Sequence, residues 1–96
     1  LASGRWTWDP KKEQANRAKH GLSLALGALV LDHDPLATTR ADPHPGGDRW
    51  QTIGSLGGVV LLLVVSTDPA DEAHGRIISV RKATKQERQA YEEGSF

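Results

Sequence analysis

Eight side chains of this 96-residue sequence, Lys19, His20, Arg49, Arg76, Arg81, Lys82, Glu87 and Tyr91, form a set that could act on a phosphodiester without a metal. RNA carries its own nucleophile in the 2′-hydroxyl. Cutting it therefore needs a base for that proton, cations for the crowded phosphate and an acid for the departing 5′-oxygen. Histidine titrates where both proton roles are open to it, and arginine matches phosphate oxygens two at a time. Each residue also has an ordinary use: His20 at a helix end favours the dipole, Glu87 completes a capping box, Tyr91 anchors a helix, and Arg49 can pair with an acidic loop. Residue types alone permit a nuclease without establishing one.

Other chemistries find less support. There is no cysteine, so no disulfide framework, thiolate nucleophile or sulfur-bound zinc, and a reducing cytoplasm is the expected compartment. None of His20, His33, His44 and His74 stands four residues from another, as a helical metal site would need, and the adjacent side chains of Asp32, His33 and Asp34 project in different directions. No glycine loop with nucleotide-binding spacing and no serine-hydrolase elbow occurs. No metal or cofactor is expected. The longest apolar run, residues 57–65, is about half a membrane span, so no membrane segment is expected.

Twelve basic and twelve acidic side chains cancel, but not evenly along the chain. Residues 1–20 carry five basic and two acidic groups, residues 21–75 two and seven, and residues 76–96 five and three. Both ends are basic. A fold that brings them together would show phosphates a positive face despite zero net charge.

The elements that must position these groups are marked by local chemistry. Residues 1–4 read as a cloning remnant or trimmed start, leaving 5–96 as one domain. Asp9-Pro10 is an N-cap followed by proline at the first helical position, and Gly21 suits the residue past a helix end, so a helix spans about 10–19 with Lys12, Asn16, Lys19 and His20 on one side. Ser23 can cap a second helix over 24–31 that has no polar face and should be buried, ending before Pro35. Four strand runs follow at 36–41, 49–55, 59–67 and 76–82, joined by short links that imply an antiparallel meander. Alternation in the last puts Ile78 and Val80 on one face, with Ser79 and Arg81 on the other. Thr84 and Glu87 form a capping box for a final helix over 85–93 that ends at Gly94, with Ala90 and Tyr91 as its anchors. The three tryptophans, Trp6, Trp8 and Trp50, read as core and strand packing.

Five pieces in this order form a composite pattern: Trp8-Asp9-Pro10 with Lys12, Asn16 and Lys19-His20-Gly21; Arg49 with Thr52-Ile53-Gly54; Val64-Val65 with Thr67; Arg76-Ile77-Ile78-Ser79 with Arg81-Lys82-Ala83; and Glu87-Arg88 with Tyr91. Over residues 6–92 it resembles the BrnT family of bacterial toxins. The resemblance implies an α+β, RelE-like fold: a small antiparallel sheet of about four strands, with two N-terminal helices and one C-terminal helix. It implies a ribonuclease toxin of a type II toxin–antitoxin module that blocks translation by cutting RNA. The implied partner is a BrnA antitoxin whose ribbon-helix-helix domain makes the main DNA contacts.

Carried onto this chain, the family's functional positions fall on His20, Arg49, Arg76, Arg81, Glu87 and Tyr91. Under this reading Arg49, Arg76 and Arg81 hold the phosphate, His20 or Glu87 moves protons, and Lys12, Lys19, Lys82 and Arg88 assist in binding RNA. The chain departs from the pattern at Ser66, where the family usually has tyrosine, and in a longer, acidic loop over 68–75. A catalytically weakened antitoxin-binding co-repressor is the alternative reading, favoured by the polar, lightly anchored terminal helices. A direct nucleic-acid binder without chemistry fits less well, because no recognition-helix motif or exposed aromatic platform is legible.

Overall fold

The computed structural model describes residues 2–58 and 60–96. Its elements run β1 (Ala2–Ser3), β2 (Trp6–Thr7), α1 (Pro10–His20), α2 (Ala25–His33), β3 (Thr38–Ala41), β4 (Trp50–Leu56), β5 (Val60–Ser66), β6 (Gly75–Lys82) and α3 (Lys85–Glu93). One sheet holds the strands in the order β1-β2-β6-β5-β4-β3. The expected meander is there as β3 to β6, each strand antiparallel to the next. Val59, expected within a strand, lies outside the described residues.

The sheet is mixed rather than purely antiparallel, and larger than four strands. β2 runs parallel to β6, with Trp6 opposite Gly75, and β1 folds back on β2. Ala2 and Ser3, expected to lie outside the domain, thus extend the sheet. Gly75 makes the added pairing possible, because a Cβ there would stand 2.7 Å from the Trp6 ring. The buried Trp6 indole then donates to Asp32 Oδ1 at 3.0 Å, which ties β2 to the end of α2.

Helix α1 follows its local signals. Asp9 accepts from the Lys11 N–H, Pro10 opens the helix, and Gly21 closes it at φ 70°. Its one buried residue is polar. Asn16 accepts from the Val80 N–H and donates to the Val80 and Leu22 carbonyls, so an amide side chain completes the edge of β6 beyond the reach of β2.

Helix α2 starts one residue later than expected and runs two further. The Glu13 carboxylate accepts from Ser23 Oγ and the Leu24 N–H at 2.8 and 2.7 Å, fixing the turn between the helices, while Ser23 Oγ accepts from Ala25. Leu24, Gly27, Ala28 and Val30 pack into the core with Trp6, Trp8, Leu62, Val64, Ile77 and Val80, yet Leu29 is 41% exposed. The helix is buried on one side only. Gly27 lies where it crosses the sheet, since a Cβ there would meet Val80 and Val64 at 2.8 and 2.9 Å.

The simple alternation expected in β6 fails at a bulge. Ile77 stands opposite Ser66 but Ser79 opposite Val65, so Ile78 is the extra residue. The core receives Ile77 and Val80, while Ile78 joins Ser79 and Arg81 in lining a groove outside it. Arg81 therefore shares a surface with Ile78.

The opposite face of the sheet carries the row Ile53, Leu63 and Arg81, paired across β4, β5 and β6. Ile53 and Leu63 are buried without belonging to the α2 core. The C-terminal segment crosses this face: Glu87 binds Arg81 on β6, and Phe96 stacks under Arg40 on β3 at 3.9 Å. Its helix has the expected capping box and ends at Gly94. None of its residues is fully buried, and Ala90 and Tyr91 are half-buried.

Candidate functional site: a cationic groove between α1 and β6

The clamp at Asn16 decides the site. Holding α1 along the edge of β6 sets Lys12, Lys19 and His20 of the helix opposite Ile78, Ser79 and Arg81 of the strand, around a groove of about 380 Å³. Lys12 and His20 are half-buried and Lys19 is exposed. None of the three makes a side-chain hydrogen bond or ion pair among the described residues. The groove walls contain no carboxylate.

Arg81 enters this groove already held. Its Nη1 and Nη2 donate to the two Glu87 oxygens at 2.7 and 2.8 Å, and Nη1 also donates to the Lys82 carbonyl. Glu87 in turn accepts from the Thr84 N–H as part of the capping box. The Arg81 hydrogen bonds pull the Glu87 carboxyl down to about 2 against the opposing effect of burial, with the Thr84 N–H helping. The same bonds raise the Arg81 pKa. Glu87 is thus an ionised carboxylate facing a guanidinium, and it has no proton to give at neutral pH. The end of the guanidinium is committed, whereas its Nε–H, on the other edge, makes no hydrogen bond among the described residues. That edge can donate to a phosphate oxygen.

The other expected site residues lie elsewhere. Arg49 precedes β4 and lines neither this groove nor any other described cavity. Arg81 is level with Ile53, so by strand geometry Arg49 sits about 13 Å along and about 10 Å across from it. Arg76, the second residue of β6, lines a second cavity with Arg5 and His74. Lys82 and Arg88 line a third hollow beside Val60 and Glu92. Tyr91, one helical turn past Glu87, is half-buried and lines no described cavity. A grip by Arg49, Arg76 and Arg81 on one phosphate does not match this spacing.

Two polar groove residues, Asn16 and Ser79, stood outside the expected catalytic and binding set. Asn16 gave no sign of its role, since a polar residue on a polar helix looks ordinary. Ser79 could be found through its alternation with Arg81. Ser66, where an aromatic ring is usual in the resembled family, is buried opposite Ile77 and donates to the Thr67 carbonyl, so this position faces the core rather than the groove. Asp32 and Asp34 are also structural: Asp32 takes the Trp6 N–H, and Asp34 takes the N–H groups of Leu36 and Ser55. Among the described residues no three His, Asp or Glu side chains are grouped to hold a metal ion. No helix among them is long and apolar enough to cross a membrane.

The fold and groove define a small α+β protein with a cation-lined cleft at the edge of a mixed sheet, suited to an anionic ligand. The family model described as the ribonuclease toxin BrnT of type II toxin–antitoxin systems matches residues 8–87, and the chain belongs to this family. Among solved structures, the crystal structure of the Brucella abortus ribonuclease toxin BrnT is similar, with a TM-score of 0.61 and 27% identity over 86% of this chain and 100% of that one. No curated protein matches the chain. Membership in a type II family implies an antitoxin partner.

Proposed function

We propose that this chain is a metal-independent endoribonuclease, akin to the RelE-like toxins, that cuts cytoplasmic RNA in the groove between α1 and β6 and so arrests translation. The observation that carries this reading is the convergence of Lys12, Lys19, His20 and Arg81 on one groove free of carboxylates, in a member of a ribonuclease toxin family.

The phosphodiester sits against the Nε edge of Arg81 and the ammonium groups of Lys12 and Lys19, which take up the charge that develops on its oxygens. The imidazole of His20 accepts the proton of the 2′-hydroxyl. The 2′-oxygen bonds to phosphorus as the bond to the 5′-oxygen breaks, leaving a 2′,3′-cyclic phosphate and a 5′-hydroxyl. The groove's ammonium groups supply the proton that the 5′-oxygen takes. Glu87 holds Arg81 in place rather than moving a proton. The metal-free reading rests on this donor set, whose cations and single imidazole can stabilise and deprotonate without a bound ion.

The partner that silences the toxin is a BrnA-like antitoxin with a ribbon-helix-helix domain, through which the complex contacts DNA. Incubating purified protein with RNA in the presence of a chelator tests the activity. Cleavage is expected, His20→Ala and Arg81→Ala abolish it while the protein stays folded, and expression without antitoxin stops growth. Intact RNA under all conditions, or full toxicity in both variants, contradicts the proposal.

A further inference from the structure

The largest described cavity, about 490 Å³, lies at the other end of β6 and has no part in the chemistry proposed above. Its walls include Arg5, Thr7, Thr67, Asp71, His74 and Arg76. Three features make it a built surface. The Arg5 guanidinium donates to the carbonyls of Asp71 and Pro69 at 2.8 and 2.7 Å, stapling the acidic loop to the sheet edge. Within the loop, Asp68 accepts from the Ala70 N–H, and Asp71 from those of Ala73 and His74. The loop is thus shaped from inside, and it presents a His74 side chain that is 90% exposed. Arg76, whose backbone N–H is fixed by Thr67 Oγ1, is exposed, and its guanidinium makes no hydrogen bond or ion pair among the described residues.

The cavity and the groove share one side of the sheet. A Cβ on Gly75 would point into the buried Trp6 ring, so Arg76, the next residue, projects from the other face. Ser79 and Arg81 project from that face as well, with the bulge at Ile78 absorbing the odd residue. Arg76 and Arg81 are five residues apart on β6, one of them taken up by the bulge, so they stand four ladder positions or about 13 Å apart. That span is too long for one phosphodiester and within reach of a few extended nucleotides.

From this geometry we infer that a single RNA strand runs along β6, with the phosphodiester to be cut at Arg81 and a flanking nucleotide in the second cavity, its phosphate on Arg76 and its base on the His74 ring. Single-stranded RNA is recognised by such pairs, a cation for the backbone and a flat side chain for the base. Asp71, an acceptor beside His74, suits an amino-bearing base edge and not a phosphate. The inference rests on the ribonuclease reading above and assigns Arg76 to substrate binding.

The test uses the full chain with two probes, a 2′-O-methyl RNA decanucleotide for binding and the corresponding cleavable RNA for kinetics, each compared with a dinucleotide. His74→Ala and Arg76→Ala each weaken decanucleotide binding about five- to fifty-fold, the range that loss of a stacked base or phosphate contact produces. The loss falls on KM rather than kcat, and it shrinks on the dinucleotide. Equal losses on dinucleotide and decanucleotide would place Arg76 at the reaction centre and overturn the subsite, as would wild-type affinity in both variants of a chain that cuts RNA. A wild-type chain that neither binds nor cuts RNA removes the ribonuclease reading, and the subsite with it. Both side chains are exposed, so changes in their folding do not confuse the result.

Discussion

The Arg81 guanidinium and the Glu87 carboxylate meet end to end, through two hydrogen bonds of 2.7 and 2.8 Å that join β6 to α3. The pair orients the arginine and fastens a helix that has no fully buried residue. It also has a pH signature. The Glu87 carboxyl is lowered from 4.5 to about 2, so its contribution to stability is complete above the unfolded value and is lost as pH falls from about 4.5 through 2. Glu87→Gln should cost roughly 1–3 kcal/mol at neutral pH, the range for a charge-assisted hydrogen bond. In thermal unfolding followed against pH, the variant should lose less stability than wild type across that window. Some acid sensitivity remains in it, because hydrogen bonds from Leu24, Ser23 and Arg17 outweigh burial and also lower Glu13. Wild type and variant curves that stay parallel from pH 5 to pH 2 would contradict the assignment.

The same pair shows where sequence reading reaches its end. Helix limits were legible because their signals are local: Asp9-Pro10 and Gly21 for α1, Thr84 with Glu87 and Gly94 for α3. The strands of the meander were legible from their apolar runs and breakers. The pairing of Trp6–Thr7 with Gly75–Arg76 was not, since it joins distant segments and its permissive feature is an absent side chain at Gly75. A one-residue bulge likewise turned Ile78 to the side of Arg81. Charge type was legible for every cation, but type does not carry position. His20 lines one groove with Arg81 because Asn16 is bonded to Val80, whereas Arg49 and Arg76, equally basic, are set by strand register far along the sheet. Glu87 was legible as a cap and as a candidate proton carrier; its engagement with Arg81 appears only when α3 folds back over β6.

Asn16 links stability to the site. Replacing it with alanine leaves the Val80 N–H and carbonyl and the Leu22 carbonyl without this partner, at a cost of about 1–3 kcal/mol. Asn16→Asp keeps the acceptor but turns both donor contacts into repulsion between oxygens, so it should be the more damaging change. Activity measured well below the melting temperature should fall in both variants, because α1 no longer holds Lys12, Lys19 and His20 against Arg81. Urea unfolding together with RNA cleavage checks this, and an Asn16→Ala chain with wild-type stability would contradict it.

Gly27 sets helix propensity against packing. Alanine is favoured over glycine inside a helix by about 1 kcal/mol. The added methyl, however, would stand 2.8 Å from Val80 Cγ2 and 2.9 Å from Val64 Cγ1. Overpacking of this kind costs roughly 1–3 kcal/mol, and both neighbours are β-branched side chains in a fully buried row. Gly27→Ala should therefore lower the melting temperature despite its better propensity. A more stable variant would mean that α2 can lift off the sheet without loss.

Salt dependence separates phosphate contact from structural effects at the groove. With Lys12, Lys19 and Arg81 at the groove and Arg76 at the flanking subsite, four cations displace counterions from a single strand, so the logarithm of RNA affinity should fall with the logarithm of salt concentration at a slope of roughly −3, about −0.7 for each cation. Lys12→Gln or Lys19→Gln should each make that slope shallower by about 0.7 while leaving thermal stability near wild type, since neither ammonium makes a hydrogen bond or ion pair among the described residues. Arg81→Ala should shallow the slope by a similar step and also destabilise the protein, because it strands the Glu87 carboxylate beneath α3. Titrating 2′-O-methyl RNA at several salt concentrations reads all three. An unchanged slope in the lysine variants would move the phosphate path out of this groove, and a slope change in Arg49→Ala instead would carry it to the far end of β4.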